Sequence, residues 1–180
     1  MEKINVGLSD EQRSGIVNSL NRLLADEHVL YVKTRNYHWN VVGPRFHSLH
    51  EFIEEVYEQL AEIIDEVAEN ARQFGGFACG TMTEFIQLAR LKETPGRIPD
   101  QTEMLRDLLN DHEHIIRSLR EDIDKADEEF KAPDAADFLT SVLEQHNKIA
   151  WMTRSLLPDI ERSCEPDVSS ANASSRKNGK

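Results

Sequence analysis

Apolar residues recur every three or four positions through four long stretches of this chain, and no stretch shows the alternation that marks a half-buried strand. Each stretch predicts an amphipathic helix of roughly 25 to 30 residues, about 40 Å long at a rise of ~1.5 Å per residue. Four helices that each carry one apolar stripe bury those stripes best against one another. The pattern therefore predicts an all-α fold, a four-helix bundle.

Start and stop signals bound these helices. Ser9, followed three residues later by Gln, has the spacing of a capping box, and Asp100 with Glu103 repeats that pattern before the third helix. Pro133 suits the first turn of the fourth helix. The segment 75–99 holds glycines, prolines and one short helical stretch, so it predicts a long crossover between the second and third helices.

Chain length and composition set the domain organisation. With 180 residues, 39% of them hydrophobic, the chain can build one compact domain with a proper core. We predict an N-terminal arm over 1–8, the bundle over 9–160 and a flexible tail over 161–180. The tail prediction rests on small, polar and basic residues that cannot bury a core.

The charge balance is acidic, with 33 acidic against 21 basic residues and a net charge of −12. Such a surface concentrates cations and repels nucleic acid, which favours metal ions over DNA as ligands. The sequence shows neither the apolar region of a signal peptide nor a membrane-spanning apolar run. We therefore expect a cytoplasmic protein without a membrane partner, and nucleoid association stays open.

Two pairs of metal-ligand residues lie on one face of the second helix. His50 with Glu54 and Asp65 with Glu69 are both spaced i, i+4, and at ~100° per residue all four fall within about 100° of the helix wheel. This face begins at the edge of the apolar stripe and turns away from the core. The stripe itself is predicted to comprise Leu49, Ile53, Val56, Leu60, Ile63, Val67, Ala71 and Phe74.

One helix cannot close a site from these pairs. Glu54 and Asp65 are about 16 Å apart along the axis at the helical rise, whereas the ions of a two-metal site are about 3.5–4 Å apart. An antiparallel second copy, related by a two-fold axis near Leu60 and Ala61, brings each pair against the complementary pair. The small side chain of Ala61 allows the two copies of the helix to approach closely at this axis. The ligand spacing therefore predicts a homodimer with two sites.

The donor set indicates which ion such a site would take. Carboxylate oxygens with imidazole nitrogens and open coordination positions suit Fe(II) and stabilise its ferric product. The alternative is that these side chains are ordinary solvated charges on a helix surface, which is the commoner explanation for any single acidic residue. The symmetry of all four about one point favours the metal site.

Several segments together resemble the Dps family of miniature ferritins over about residues 20–157. The segments are Tyr37-His38-Trp39-Asn40-Val41-Val42-Gly43, Leu49-His50-Glu51, Ile64-Asp65-Glu66-Val67-Ala68-Glu69, Gly75-Gly76, Asp137-Phe138-Leu139 and Ala150-Trp151-Met152. The resemblance implies a ferritin-like bundle and a two-metal ferroxidase site between subunits.

The resemblance also implies a ligand set. His38, His50 and Glu54 would be ligands from one subunit, and Asp65 and Glu69 would be ligands from its neighbour. One departure is visible, because the family usually has Asp where this sequence has Glu54.

The function implied by this resemblance is iron oxidation and storage. Members oxidise ferrous iron, preferably with hydrogen peroxide, and deposit ferric mineral in a hollow shell of twelve subunits, which protects against oxidative damage. Resemblance further suggests Asp134 and Asp137 as carboxylates of an iron-entry pore. Favourable charge at a helix N-terminus explains Asp134 equally well.

A larger ferritin is a competing interpretation, since such proteins build their di-iron site inside one bundle from Glu-x-x-His motifs. This sequence contains no such motif. Glu27, His112 and His146 do fall on apolar stripes of three helices, but one inward carboxylate is too few for two irons. We interpret these three residues as a buried, hydrogen-bonded cluster.

A non-enzymatic, nucleoid-binding shell protein is the alternative from another class, acting through basic tails. The tail offers Arg176, Lys177 and Lys180, and three phosphate contacts per tail are weak and strongly salt-dependent. A structural relative that lost the metal site is a third possibility, opposed by the presence of all five ligand-type side chains. We therefore expect DNA binding to be weak or absent.

Overall fold

The computed structural model describes residues 4–157 of the chain. Five α-helices follow one another without any strand in this range: α1 (Asp10–Asn40), α2 (Phe46–Gln73), α3 (Met82–Leu88), α4 (Gln101–Asp124) and α5 (Pro133–Ser155). The four long helices confirm the predicted all-α bundle, and α3 lies within the predicted crossover. The predicted tail over 161–180 and the first three residues of the arm lie outside the described residues.

The predicted start signals act as caps. The Ser9 hydroxyl accepts from the backbone N–H of Gln12, and the Gln12 side chain accepts from the N–H of Ser9, which completes the capping box. Asp100 accepts from two backbone N–H groups at the start of α4. Pro133 opens α5, where its missing N–H removes no intrahelical bond.

The apolar stripes form the core. On α2 the buried residues are the predicted ones from Leu49 to Ala71, at steps of three and four. The short turn after α1 packs α2 along α1, a second hairpin packs α4 along α5, and α3 lies against α1. The opposite face of α2, which carries the predicted ligands, is thereby left outside the core of the subunit.

The connection between α4 and α5 differs from a simple turn. A π turn spans Lys125–Glu129, closed by the bond from the Phe130 N–H to the Lys125 carbonyl, and Lys131 adopts a φ of 54°. The Phe130 ring packs so closely on Gly15 of α1 that an added Cβ would lie 2.4 Å from it. The π turn adds one residue to the helical turn that precedes this ring.

An ion-pair network that the sequence analysis missed ties the crossover to the bundle. Asp26, on α1, is fully buried and accepts from the backbone N–H groups of Arg90 and Leu91 and from the Arg90 Nε. The same guanidinium contacts Asp122 of α4 at 3.1 Å. Because one arginine joins two helices to the segment after α3, the crossover is fixed to the bundle just beyond this short helix.

Within the described residues, none of the helices combines the length and apolar character needed to cross a membrane.

Candidate metal centre

Two of the predicted ligands are brought together by the α1–α2 hairpin. The imidazoles of His38, near the end of α1, and His50, in the first turns of α2, stack with their ring centroids 3.7 Å apart. Each Nδ1 lies 3.0 Å from the backbone carbonyl oxygen of the other histidine. The Phe46 ring covers the outer side of His50 at 5.1 Å.

The paired carbonyl contacts decide where the protons lie. A carbonyl oxygen only accepts hydrogen bonds, so both Nδ1 atoms must carry their proton and donate. In a neutral imidazole the other nitrogen, Nε2, then keeps a free lone pair. A metal-binding histidine is oriented in this way, with its second nitrogen bonded to a carbonyl. The hairpin therefore presents two imidazoles already in a metal-binding tautomer.

Glu54 lies one turn after His50 on the same helix. The hydroxyl of Tyr57 donates to its Oε1 at 2.9 Å. This hydrogen bond is the main cause of the raised pKa of the Tyr57 phenol, which keeps its proton and acts as the donor. The Tyr57 ring in turn stands edge-on to His38, with centroids 5.2 Å apart. One tyrosine thus connects the carboxylate with the histidine pair.

Asp65 and Glu69 lie farther along α2, and both side chains are exposed. In the described part of the chain, neither carboxylate forms an ion pair with a basic side chain. Ala61, midway between the two pairs of predicted ligands, is also exposed. The acidic pair is therefore accessible to a partner but does not reach the histidine pair of its own chain.

The described residues of one subunit contain no group of three or more His, Cys, Asp or Glu side chains that could hold a metal ion. The single chain accordingly carries two separate parts of the predicted ligand set. We call His38, His50 and Glu54 the histidine half and Asp65 with Glu69 the acidic half.

The two candidate pore residues lie at the start of α5. Asp134 is in the first turn and Asp137 is one turn further, and both are exposed. A carboxylate in the first turn also interacts favourably with the helix dipole.

Glu27, His112 and His146 meet in the middle of the bundle, each with no exposed surface. The His146 Nε2 lies 2.9 Å from the Glu27 Oε1, and its Nδ1 lies 2.9 Å from the His112 Nδ1. The contact with Glu27 is close but lacks the alignment of a hydrogen bond. Burial, with a smaller effect of His146, lowers the pKa of His112 well below its ordinary value.

Comparison with known proteins agrees with this architecture. The family model of the ferritin-like domain matches residues 17–163. An uncharacterized low temperature-induced protein of Nostoc sp. is 52% identical over 157 residues, which cover 87% of this chain and 88% of that protein. A DNA protection during starvation protein of Brevibacillus brevis is 38% identical over 141 residues, covering 77% of this chain and 91% of that one.

A solved structure extends the likeness to three dimensions. It is the DPS protein from Vibrio cholerae O1, described as a member of a broad superfamily of ferritin-like diiron-carboxylate proteins. The two chains share 27% identity and a TM-score of 0.79, with 86% of this chain and 96% of that one covered. With the matching family model and the related sequences, this fold shows that the chain belongs to the Dps family of ferritin-like proteins.

Proposed function

We propose that this protein oxidises ferrous iron at sites shared between two subunits and stores the ferric product inside an oligomeric shell. Membership of the ferritin-like family supports iron oxidation and storage in general. The assignment to particular residues is supported by the hairpin that fixes the His38 and His50 tautomers with Nε2 free. This observation carries the proposal, because a solvated surface histidine has no need of such an arrangement.

The proposed site combines the histidine half of one subunit with the acidic half of a second subunit. His38 and His50 bind through Nε2, and Glu54 binds through the carboxylate oxygen that Tyr57 leaves open. Asp65 and Glu69 of the second subunit supply the hard oxygen donors that favour the ferric product. A two-fold axis at Ala61 generates two such sites per dimer.

The proposed oxidant is hydrogen peroxide. Two Fe(II) ions supply two electrons, and peroxide takes up these electrons with two protons to give two water molecules. Two Fe(II) ions in one site deliver both electrons to the same peroxide molecule. The one-electron reduction of peroxide, which produces hydroxyl radical, is thereby largely avoided. Protection against oxidative damage follows from this stoichiometry.

Anaerobic addition of Fe(II) to the pure protein, followed by peroxide, tests the proposal. We expect ferric absorbance to rise at once, with about one peroxide consumed for two irons, and iron to accumulate well beyond the number of sites. Absorbance that follows the slow rate of iron and peroxide without protein would refute the assignment.

A mixed assembly tests whether each site uses ligands of two chains. One chain carries His50→Ala with Glu54→Ala, and the other carries Asp65→Asn with Glu69→Gln. Each parent assembly is expected to be inactive. A heterodimer keeps one intact site of two, so free assortment restores about a quarter of the sites.

Co-assembly is verified by distinct affinity tags on the two chains before oxidation is measured. Mixed assemblies that contain both tags and still lack activity would place the site within one subunit.

Further proposals concern the assembly. A shell of twelve subunits would enclose the mineral, and Asp134 and Asp137 would line an entry pore for Fe(II), whose charge the two carboxylates attract. Cytoplasm is the proposed location.

Replacing Asp134 and Asp137 by Asn should slow iron uptake into the shell while leaving oxidation at low iron unchanged.

DNA binding is predicted to be weak or absent at physiological salt. The net charge of −12 per chain repels DNA, and the final twelve residues supply only three basic side chains. We expect no retardation of plasmid DNA at about 150 mM salt, where charges are screened beyond about 8 Å. Tight retardation by the full chain, lost on truncation after Asp167, would instead favour a nucleoid-binding function through the tail.

A further inference from the structure

The side chain of Tyr57 lies between the two parts of the histidine half. It follows Glu54 by three residues on α2, a spacing that places both side chains on neighbouring turns of one helix face. Its hydroxyl donates to the Glu54 Oε1 at 2.9 Å. A charge-assisted hydrogen bond of this kind is stronger than one between neutral groups and has a defined direction.

The aromatic ring of Tyr57 is itself held on several sides. It stands edge-on to the His38 ring at 5.2 Å and to the Tyr31 ring at 6.3 Å. The guanidinium of Arg35 lies over its face, 5.0 Å from the centroid. The phenol therefore has little freedom to turn away from Glu54.

Glu54 needs such support more than a shorter acid would. Its carboxylate is carried on two methylene groups, and each freely rotating bond must be fixed when the side chain binds an ion. A hydrogen bond to Oε1 fixes these bonds beforehand and leaves Oε2 for the ion. The Tyr57 hydroxyl thus orients the carboxylate of a predicted ligand, Glu54, without itself being a ligand.

We propose that Tyr57 is a positioning residue that holds the Glu54 carboxylate in the orientation required to bind the second ion of the shared site. This inference rests on the proposed iron site. It assigns to the Tyr57 hydroxyl a role in the affinity for one ion.

Anaerobic calorimetric titration of the full-length assembly with Fe(II) tests the inference. Tyr57→Phe keeps the ring and removes the hydroxyl, and we expect the affinity for the weaker-binding ion to fall about 10- to 100-fold, as is typical when a group supporting a metal ligand is lost. Tyr31→Phe is the matched control. Its hydroxyl accepts from Arg35 and touches no predicted ligand, so affinity should stay within about threefold of the parent.

A double-mutant cycle shows whether Tyr57 acts through Glu54. Glu54→Asp shortens the side chain out of reach of the hydroxyl, so Tyr57→Phe should have little further effect in that background. The same loss of affinity in both backgrounds would overturn the inference, as would a Tyr57→Phe protein with the affinity of the parent. A parent protein that binds no Fe(II) would refute the proposed iron site itself, and this inference with it.

Discussion

Replacing Asp65 by Asn and Glu69 by Gln in the same chain is expected to reduce the initial rate of ferrous oxidation at least about 100-fold, with the helical bundle unchanged. In the proposed site the two carboxylates are the anionic donors of the second subunit, and losing several kcal/mol of such stabilisation corresponds to a rate loss of this size. Both side chains are exposed in the subunit, so their replacement leaves no cavity in the core.

A control with the same change of charge separates the site from general electrostatics. Glu55 and Glu66 are exposed on α2 but lie outside the predicted ligand face, and changing both to Gln removes the same two charges. We expect this control to oxidise iron within about threefold of the parent, since surface charge steers cations only modestly at physiological salt. Stopped-flow absorbance with circular dichroism makes the comparison. If the Asp65/Glu69 variant oxidises ferrous iron at the rate of the parent protein, the site assignment is wrong, although the fold assignment is unaffected.

The second large effect concerns stability below neutral pH. His112 is fully buried, and its pKa in the folded chain lies well below the value of 6.5 for a free imidazole. Below about pH 6.5 the unfolded chain takes up a proton that the folded chain cannot accept at this position. The free energy of unfolding therefore falls as the pH falls, by up to about 1.4 kcal/mol per pH unit from this residue alone. Above the unfolded pKa the residue makes no pH-dependent contribution.

Urea unfolding between pH 7 and pH 5, at one protein concentration, measures this dependence. His112→Gln cannot titrate, and we expect its stability to depend on pH less steeply than that of the parent, by up to about 1.4 kcal/mol per unit at the acidic end of this range. His47→Gln serves as the matched control, because water reaches this exposed ring in both the folded and the unfolded chain. Equal slopes for the parent and His112→Gln would show that the buried cluster accepts a proton in the folded protein.

The bundle could be predicted because its helices are determined by residues that are close together in the sequence. The stripe from Leu49 to Ala71 repeats at the helical period, and one buried face per helix leaves few ways to pack. The Ser9 and Asp100 caps were likewise predicted from residues within one turn. The Asp26–Arg90 network was missed because its partners lie 64 residues apart, and nothing in either local pattern links them. The π turn was not predicted either, and the packing of the adjacent Phe130 on Gly15 of α1 likewise joins residues that are far apart in sequence.

In the candidate site, too, the features set by spacing within one helix could be predicted, whereas contacts between distant residues could not. The i, i+4 spacing of His50 with Glu54 and of Asp65 with Glu69 predicted two separate pairs on one face. In the described residues His38 stacks on His50, and one subunit forms no group of three or more His, Cys, Asp or Glu side chains that could hold a metal ion. The hydrogen bond from Tyr57 to Glu54 was not predicted, because a tyrosine at this position of α2 is readily taken as part of the apolar stripe. The carbonyl contacts of His38 and His50 depend on how two helix ends meet, which no spacing within one helix determines.

The two halves of the proposed site also differ in stiffness. The histidine half is built into a hairpin whose backbone carbonyls hold both rings, whereas the acidic half consists of exposed side chains that remain free to change rotamer. Ferric iron binds its ligands at shorter distances than ferrous iron, so a site that turns over must contract and relax. In the proposed site this adjustment would fall to the exposed carboxylates of the second subunit, while the hairpin would keep both imidazoles in place. The proposed site would thus join a rigid histidine half from one subunit to an adjustable acidic half from the other, and the adjustment to oxidation would take place across the subunit interface.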